Sequence, residues 1–142
     1  RQRQMCIRDR YILSLLISIV TAIVASIPAQ LLYYGSHMEK WIADFPGIMK
    51  PSPDFGIFIF ALLCFNITMI LILDKMNIKG LKDGAINGAW INALFFMFIN
   101  LQFFALMDGF ITLDYIIIDF ISSGIIGGFI GASIGWSLEK FE

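Results

Sequence analysis

The chain has 142 residues, of which 58% are hydrophobic and 15% charged, and a formal net charge of −1; its mean hydropathy is +0.81. Soluble domains sit near about 45–50% apolar and about 25% charged, so the composition excludes an ordinary soluble enzyme and makes lipid the main solvent. Ten basic residues nearly balance eleven acidic ones, and without a concentrated basic face nucleic acid is excluded as a partner.

Residues 1–10 read RQRQMCIRDR and hold four of the ten basic residues and one of the eleven acidic ones. Their segment Met5-Cys6-Ile7-Arg8-Asp9-Arg10 resembles the in-frame translation of a transposase adapter used to prepare sequencing libraries. That resemblance implies a non-native scar at 1–10, with 11–142 forming a single membrane domain of net charge −4. A natural basic segment flanking a membrane span is the alternative. With Cys6 set aside, only Cys64 remains, which leaves neither an intrachain disulfide nor a cysteine metal cluster.

A helix needs about 20 mostly apolar residues to cross a hydrocarbon layer about 30 Å thick at a rise of about 1.5 Å per residue. Four stretches meet that length: 11–34, 55–73, 85–106 and 115–138. They are continuous rather than alternating, so the pattern predicts helices and not a barrel. The fold class is an all-α membrane protein with four transmembrane helices in an antiparallel bundle.

The first connection, 35–54, has its own pattern. Ser36 and Glu39 read as a capping box, and Met38, Trp41, Ile42 and Phe45 recur at helical spacing, which predicts a short interfacial helix stopped by Pro46, Pro51 and Pro53. His37, Lys40 and Asp44 form its polar face, with Trp41, Tyr33 and Tyr34 as interfacial anchors at headgroup depth. Beyond the scar, the side shared by the termini and the second connection holds Lys75, Lys79, Lys82 and Lys140, against Lys40 and Lys50 opposite. The bias toward cytoplasmic lysines places both termini inside. The first span also has an alternative reading as a cleavable signal peptide ending near Ala29, although Ile27 fits such a site poorly.

The fourth span carries Gly124, Gly127, Gly128, Gly131 and Gly135, which cover an arc of only about 100° and form a stripe for close helix packing. Two rows could meet it: Ser14, Ser18, Ala22 and Ser26 of the first span, or Gly84, Ala85, Gly88 and Ala89 opening the third. The partner is either within the chain or in a second copy, making a homo-oligomer.

Asp119 stands inside the fourth span, where a carboxylate costs on the order of 2.5–3.5 kcal/mol at mid-bilayer and less toward the interface. No Lys or Arg lies at comparable depth, so amides and hydroxyls must compensate it. Asn100, Gln102, Gln30, Ser122 and Ser123 fall near its level, with Asn66 deeper. This candidate polar cluster reads either as an interhelical hydrogen-bond clamp or as a site that binds a cation or relays a proton. The third span is rich in amides; Asn92 and Asn100 share a seam while Gln102 points away. His37 is the only histidine, and no spacing matches a catalytic set, a metal site or a phosphate loop, so neither cofactor nor enzyme activity is expected.

The order of features resembles small four-helix bacterial inner-membrane families classed as domains of unknown function. The resemblance lies in Leu32-Tyr33-Tyr34-Gly35 closing the first helix, Trp41 shortly after, Gly84-Ala85-Ile86-Asn87-Gly88 opening the third, and Asp119 followed by glycines in the fourth. It implies an integral membrane protein without an assigned activity. From these readings we expect a structural or accessory membrane protein that self-associates through the fourth helix. The alternative is a small transporter or channel for a proton, cation or small polar solute built around Asp119.

Overall fold

A computed structural model of the chain describes residues 7–48, 50, 52 and 54–141. The elements in order are α1 (Ile7–Ala29), a π-helical turn (Gln30–Tyr34), α2 (Gly35–Asp44), α3 (Phe55–Lys75), α4 (Leu81–Leu106) and α5 (Leu113–Lys140). Four helical spans, Asp9–Asp44, Phe55–Lys75, Leu81–Leu106 and Leu113–Lys140, are long and apolar enough to cross a membrane. The chain is an all-α, multi-pass bundle. We call its two ends the tyrosine end, with Tyr33, Tyr34 and Trp41, and the lysine end, with Lys75, Lys79, Lys82 and Lys140.

The first span departs from the sequence expectation. The expected short helix forms over Gly35–Asp44, but it has no capping-box start, because the helix runs without a break from α1 through the π turn into α2. Gly35 keeps right-handed helical angles and gives its N–H to the Gln30 carbonyl. Ser36 therefore has no open helix start to cap, and its hydroxyl donates instead to the Tyr33 carbonyl at 2.9 Å. The whole span of 36 residues measures about 54 Å along a straight axis, more than the hydrocarbon layer, so its polar end reaches the headgroups or beyond.

The π turn follows Pro28, which has no N–H to give the Val24 carbonyl. Its extra residue delays the helix by about 100°. α2 ends at Asp44, and Phe45 leaves helical angles (φ −123°, ψ 62°) ahead of Pro46, which disfavours the helical region for the residue before it. Pro51 and Pro53 lie outside the described residues, as do residues 1–6 of the suggested scar. Ile7–Arg10 form the first turn of α1, and Arg10 pairs with Asp74 at 3.2 Å beside the Tyr11 hydroxyl, which donates to the same carboxylate at 2.6 Å.

The other helices start and stop for local reasons. The Asp54 carboxylate accepts from the Gly56 and Ile57 amides at 3.1 and 3.2 Å, and the Thr112 hydroxyl accepts from the Tyr115 amide at 3.3 Å. Both satisfy free N–H groups of a first turn. Between α3 and α4 the chain turns through Asn77 (φ 55°) and Gly80 (φ 87°), left-handed angles that glycine adopts without strain. The Gly80 amide then donates to the Gly135 carbonyl at 2.9 Å, tying this turn to α5.

α5 is the central helix. It packs most extensively along α4, next along α1, and lightly against α3. Lipid tails are as apolar as leucine, so burial of apolar surface does little to join helices here; close backbone approach and polar contacts must do it. Met69, Ile70 and Leu73 of α3, Ala22 of α1 and Ile130, Ile134 and Leu138 of α5 fill the centre toward the lysine end. The first turns of α3, from Phe55 to Ala61, are exposed on every side and stand off from the bundle.

Candidate functional site

The glycine stripe of α5 is split by the fold. Gly127, Gly131 and Gly135 face Gly84 and Gly88 of α4, and both helices use glycine because a side chain would not fit between them. A Cβ on Gly131 would lie 2.7 Å from the Gly88 Cα, and one on Gly88 2.6 Å from the Gly131 Cα. Gly124 and Gly128 sit at the edge of the stripe instead, where a Cβ would meet its nearest neighbours at an ordinary 3.6 Å. Both of these edge glycines border an open apolar groove with Ala85, Ala89, Ala93 and Trp90. The serine row of α1 is used as well: Ser14, Ser18 and Ala22 are buried, and the Ser137 hydroxyl donates to Ser14 Oγ at 2.7 Å. Of the two rows left open by the sequence, α5 thus takes one on each side.

Asp119 is 5% exposed and Asn100 7%. The Asn100 amide donates to Asp119 Oδ2 at 2.5 Å, and the Tyr34 hydroxyl donates to Oδ1. One carboxylate therefore joins the first, third and fourth spans. Tyr34 was expected only as an interfacial anchor. In an uninterrupted α-helix it would point about 120° away from Ala22, which faces the bundle, but the extra residue of the π turn brings it to within about 20°. No sequence pattern signals that residue.

The other expected members divide. Ser123 is buried, and its carbonyl accepts from the Asn92 amide at 2.6 Å, one turn below Asp119. Ser122 is half-buried beside the Tyr34 phenol. Gln30, at the start of the π turn, is exposed and does not join the cluster. Asn66 is fully buried, but its amide donates to Leu62 of its own helix at 2.9 Å, so it stays apart from Asp119. Gln102 is exposed, on the side of α4 opposite Asn100.

An aromatic layer covers the cluster at the tyrosine end. Trp41 stacks on Phe110 with centroids 5.0 Å apart and lies 5.2 Å from Tyr115, itself 5.9 Å from Tyr33 and 6.1 Å from Tyr34. The expected anchors Tyr33, Tyr34 and Trp41 thus turn toward α5. Asp119 lies one turn beyond Tyr115 of this layer, and two apolar grooves lie elsewhere, one along Gly124 and Gly128 and one between α1 and α3. Among the described residues, no group of three His, Cys, Asp or Glu side chains is placed to hold a metal ion.

Likeness to other proteins gives no further guide. No protein-family model, curated protein or solved structure matches this chain.

Proposed function

We propose that this chain is a structural or accessory protein of a bacterial cytoplasmic membrane, with no catalytic role, and that it self-associates. The observation that carries this reading is the condition of Asp119: both of its oxygens are taken by donors from two neighbouring helices beneath an aromatic layer. A carboxylate that binds or relays an ion needs an open approach, whereas one that ties helices together needs donors from its neighbours, as Asp119 has. The four lysines at one end support cytoplasmic termini.

Self-association is best served by Gly124 and Gly128. Packing within the chain accounts for glycine at 127, 131 and 135 but would admit a Cβ at 124 and 128. Small residues beside an open groove let a second helix approach closely in lipid. The test is cysteine crosslinking in liposomes through Ile121→Cys in a Cys6→Ser, Cys64→Ser background. Gly124→Leu with Gly128→Leu should abolish the crosslinked pair while helical content and thermal stability are kept. An unchanged crosslink sinks the self-association. Flux of protons or monovalent cations that Asp119→Asn abolishes would replace the structural reading with a transporter.

A further inference from the structure

Two amides lie at the middle of the bundle. Asn66 and Asn92 stand near the midpoints of α3 and α4, and they are 0% and 2% exposed. Each side chain is anchored by its nitrogen: Asn66 Nδ2 donates to the Leu62 carbonyl at 2.9 Å, and Asn92 Nδ2 to the Ser123 carbonyl at 2.6 Å. Neither amide can be turned over, because that would set oxygen against carbonyl oxygen. Both Oδ1 atoms are therefore fixed and fully enclosed, and they meet no donor among the described residues.

The two oxygens border one region. Asn92 lies against Gly127 of α5, where an added Cβ would stand 3.0 Å from the Asn92 Cγ. Asn66 comes one turn before Met69 and Ile70, which pack in one cluster with Ile130 and Ile134 of α5. Phe65 and Ile91, the chain neighbours of the two amides, lean on that same cluster together with Ile126, and Phe65 also reaches α4, 6.3 Å from the Phe96 ring. Both amides thus flank the stretch of α5 from Ser123 to Ile130.

At this depth the bilayer offers no donor, and a buried acceptor left without one carries its full desolvation cost. Internal water meets that need in other proteins, forming about three hydrogen bonds to buried polar atoms that are otherwise unpaired. A water molecule has two hydrogens for two acceptors. It is also the smallest donor able to enter a site that neither apolar groove reaches.

We propose that Asn66 and Asn92 hold one internal water molecule at the middle of the membrane, which gives one hydrogen to each Oδ1 and so joins α3 to α4. α3 otherwise packs only lightly on α4 and α5. A bridge through water is nearly as favourable as a direct hydrogen bond, so it serves as a polar tie for the most loosely held span. The site is separate from the groove at Gly124 and Gly128, and it stands whether or not the chain self-associates.

The test reads the sign of a stability change in mixed detergent micelles. Asn66→Leu nearly keeps the size of the side chain and gives up only a bond within its own helix. If Oδ1 had no donor, the substitution would remove an unpaired acceptor and stabilise the protein. With the bridge in place it leaves Asn92 unpaired, and it should raise the unfolding constant about threefold or more. In an Asn92→Leu background the same substitution should no longer destabilise, because the bridge is already gone. A gain in stability from Asn66→Leu alone, or an equal loss in both backgrounds, overturns the proposal. A second measurement leaves the chain unchanged: in isotope-labelled protein, nuclear magnetic resonance should show cross-relaxation between the side-chain amide protons of Asn66 and Asn92 and a water molecule that stays bound for nanoseconds or longer. Its absence at either residue overturns the proposal.

Discussion

The contact between α4 and α5 makes a sharp prediction, because two glycines four residues or fewer apart on one helix should respond oppositely to the same added methyl group. In Gly131→Ala the new Cβ would stand 2.7 Å from the Gly88 Cα and 3.0 Å from the Gly88 amide nitrogen, with the Gly84 carbonyl closer still. Carbon atoms meet comfortably at about 3.5–4.0 Å, so the helices must separate by about 1 Å along a row that also includes Gly84, Gly127 and Gly135. Overpacking of this kind costs about 1–3 kcal/mol. In Gly128→Ala the Cβ meets the Ala85 carbonyl and the Ala89 Cβ at 3.6 Å, an ordinary contact. Both variants gain helix propensity equally, so it cancels between them. Gly131→Ala should therefore be less stable than Gly128→Ala by about 2 kcal/mol, roughly thirtyfold in the unfolding constant. Reversible unfolding in mixed detergent micelles, followed by far-ultraviolet circular dichroism, measures the difference. Equal stabilities would refute the argument that the Gly84, Gly88, Gly127, Gly131 and Gly135 row fixes the helix separation.

Further outcomes follow from other contacts. Tyr34→Phe removes one donor to Asp119 and should lower stability by about 0.6–1.7 kcal/mol in the same micelle assay; Asp119→Leu, which deprives both Tyr34 and Asn100 of their acceptor, should cost more than Tyr34→Phe. A neutral Tyr34→Phe would contradict the role of the π turn in building the clamp. Thr112→Ala should cost about 1 kcal/mol and speed hydrogen exchange at the Tyr115 amide, which loses its side-chain acceptor. Arg10→Gln should cost no more than about 1 kcal/mol, since the Arg10–Asp74 pair lies at a helix end with both side chains partly exposed. A larger loss would make residues 1–10 an integral part of the fold and count against the reading of them as a scar.

The sequence by itself determined the class. Four apolar runs of spanning length leave the backbone no way to satisfy its hydrogen bonds in lipid except as helices, and that follows from length and composition alone. It also marked the residues that had to be compensated: Asp119 with no cation at its depth, the amides of the third span, and the small-residue rows. The phase between elements was not legible. A single extra residue after Pro28 rotates everything beyond it by about 100°, turning Tyr34 inward, and helical angles at Gly35 make α2 a continuation of the first helix. Periodicity read at 3.6 residues per turn has no means of locating such a residue, and the Ser36–Glu39 pair looks like a helix start only if the chain before it is not already helical. The pairing of small-residue rows was likewise a tertiary decision. The stripe on α5 is wide enough for two neighbours, and only the packed bundle assigns Gly127, Gly131 and Gly135 to α4, Ser137 to Ser14 of α1, and leaves Gly124 and Gly128 at the lipid edge.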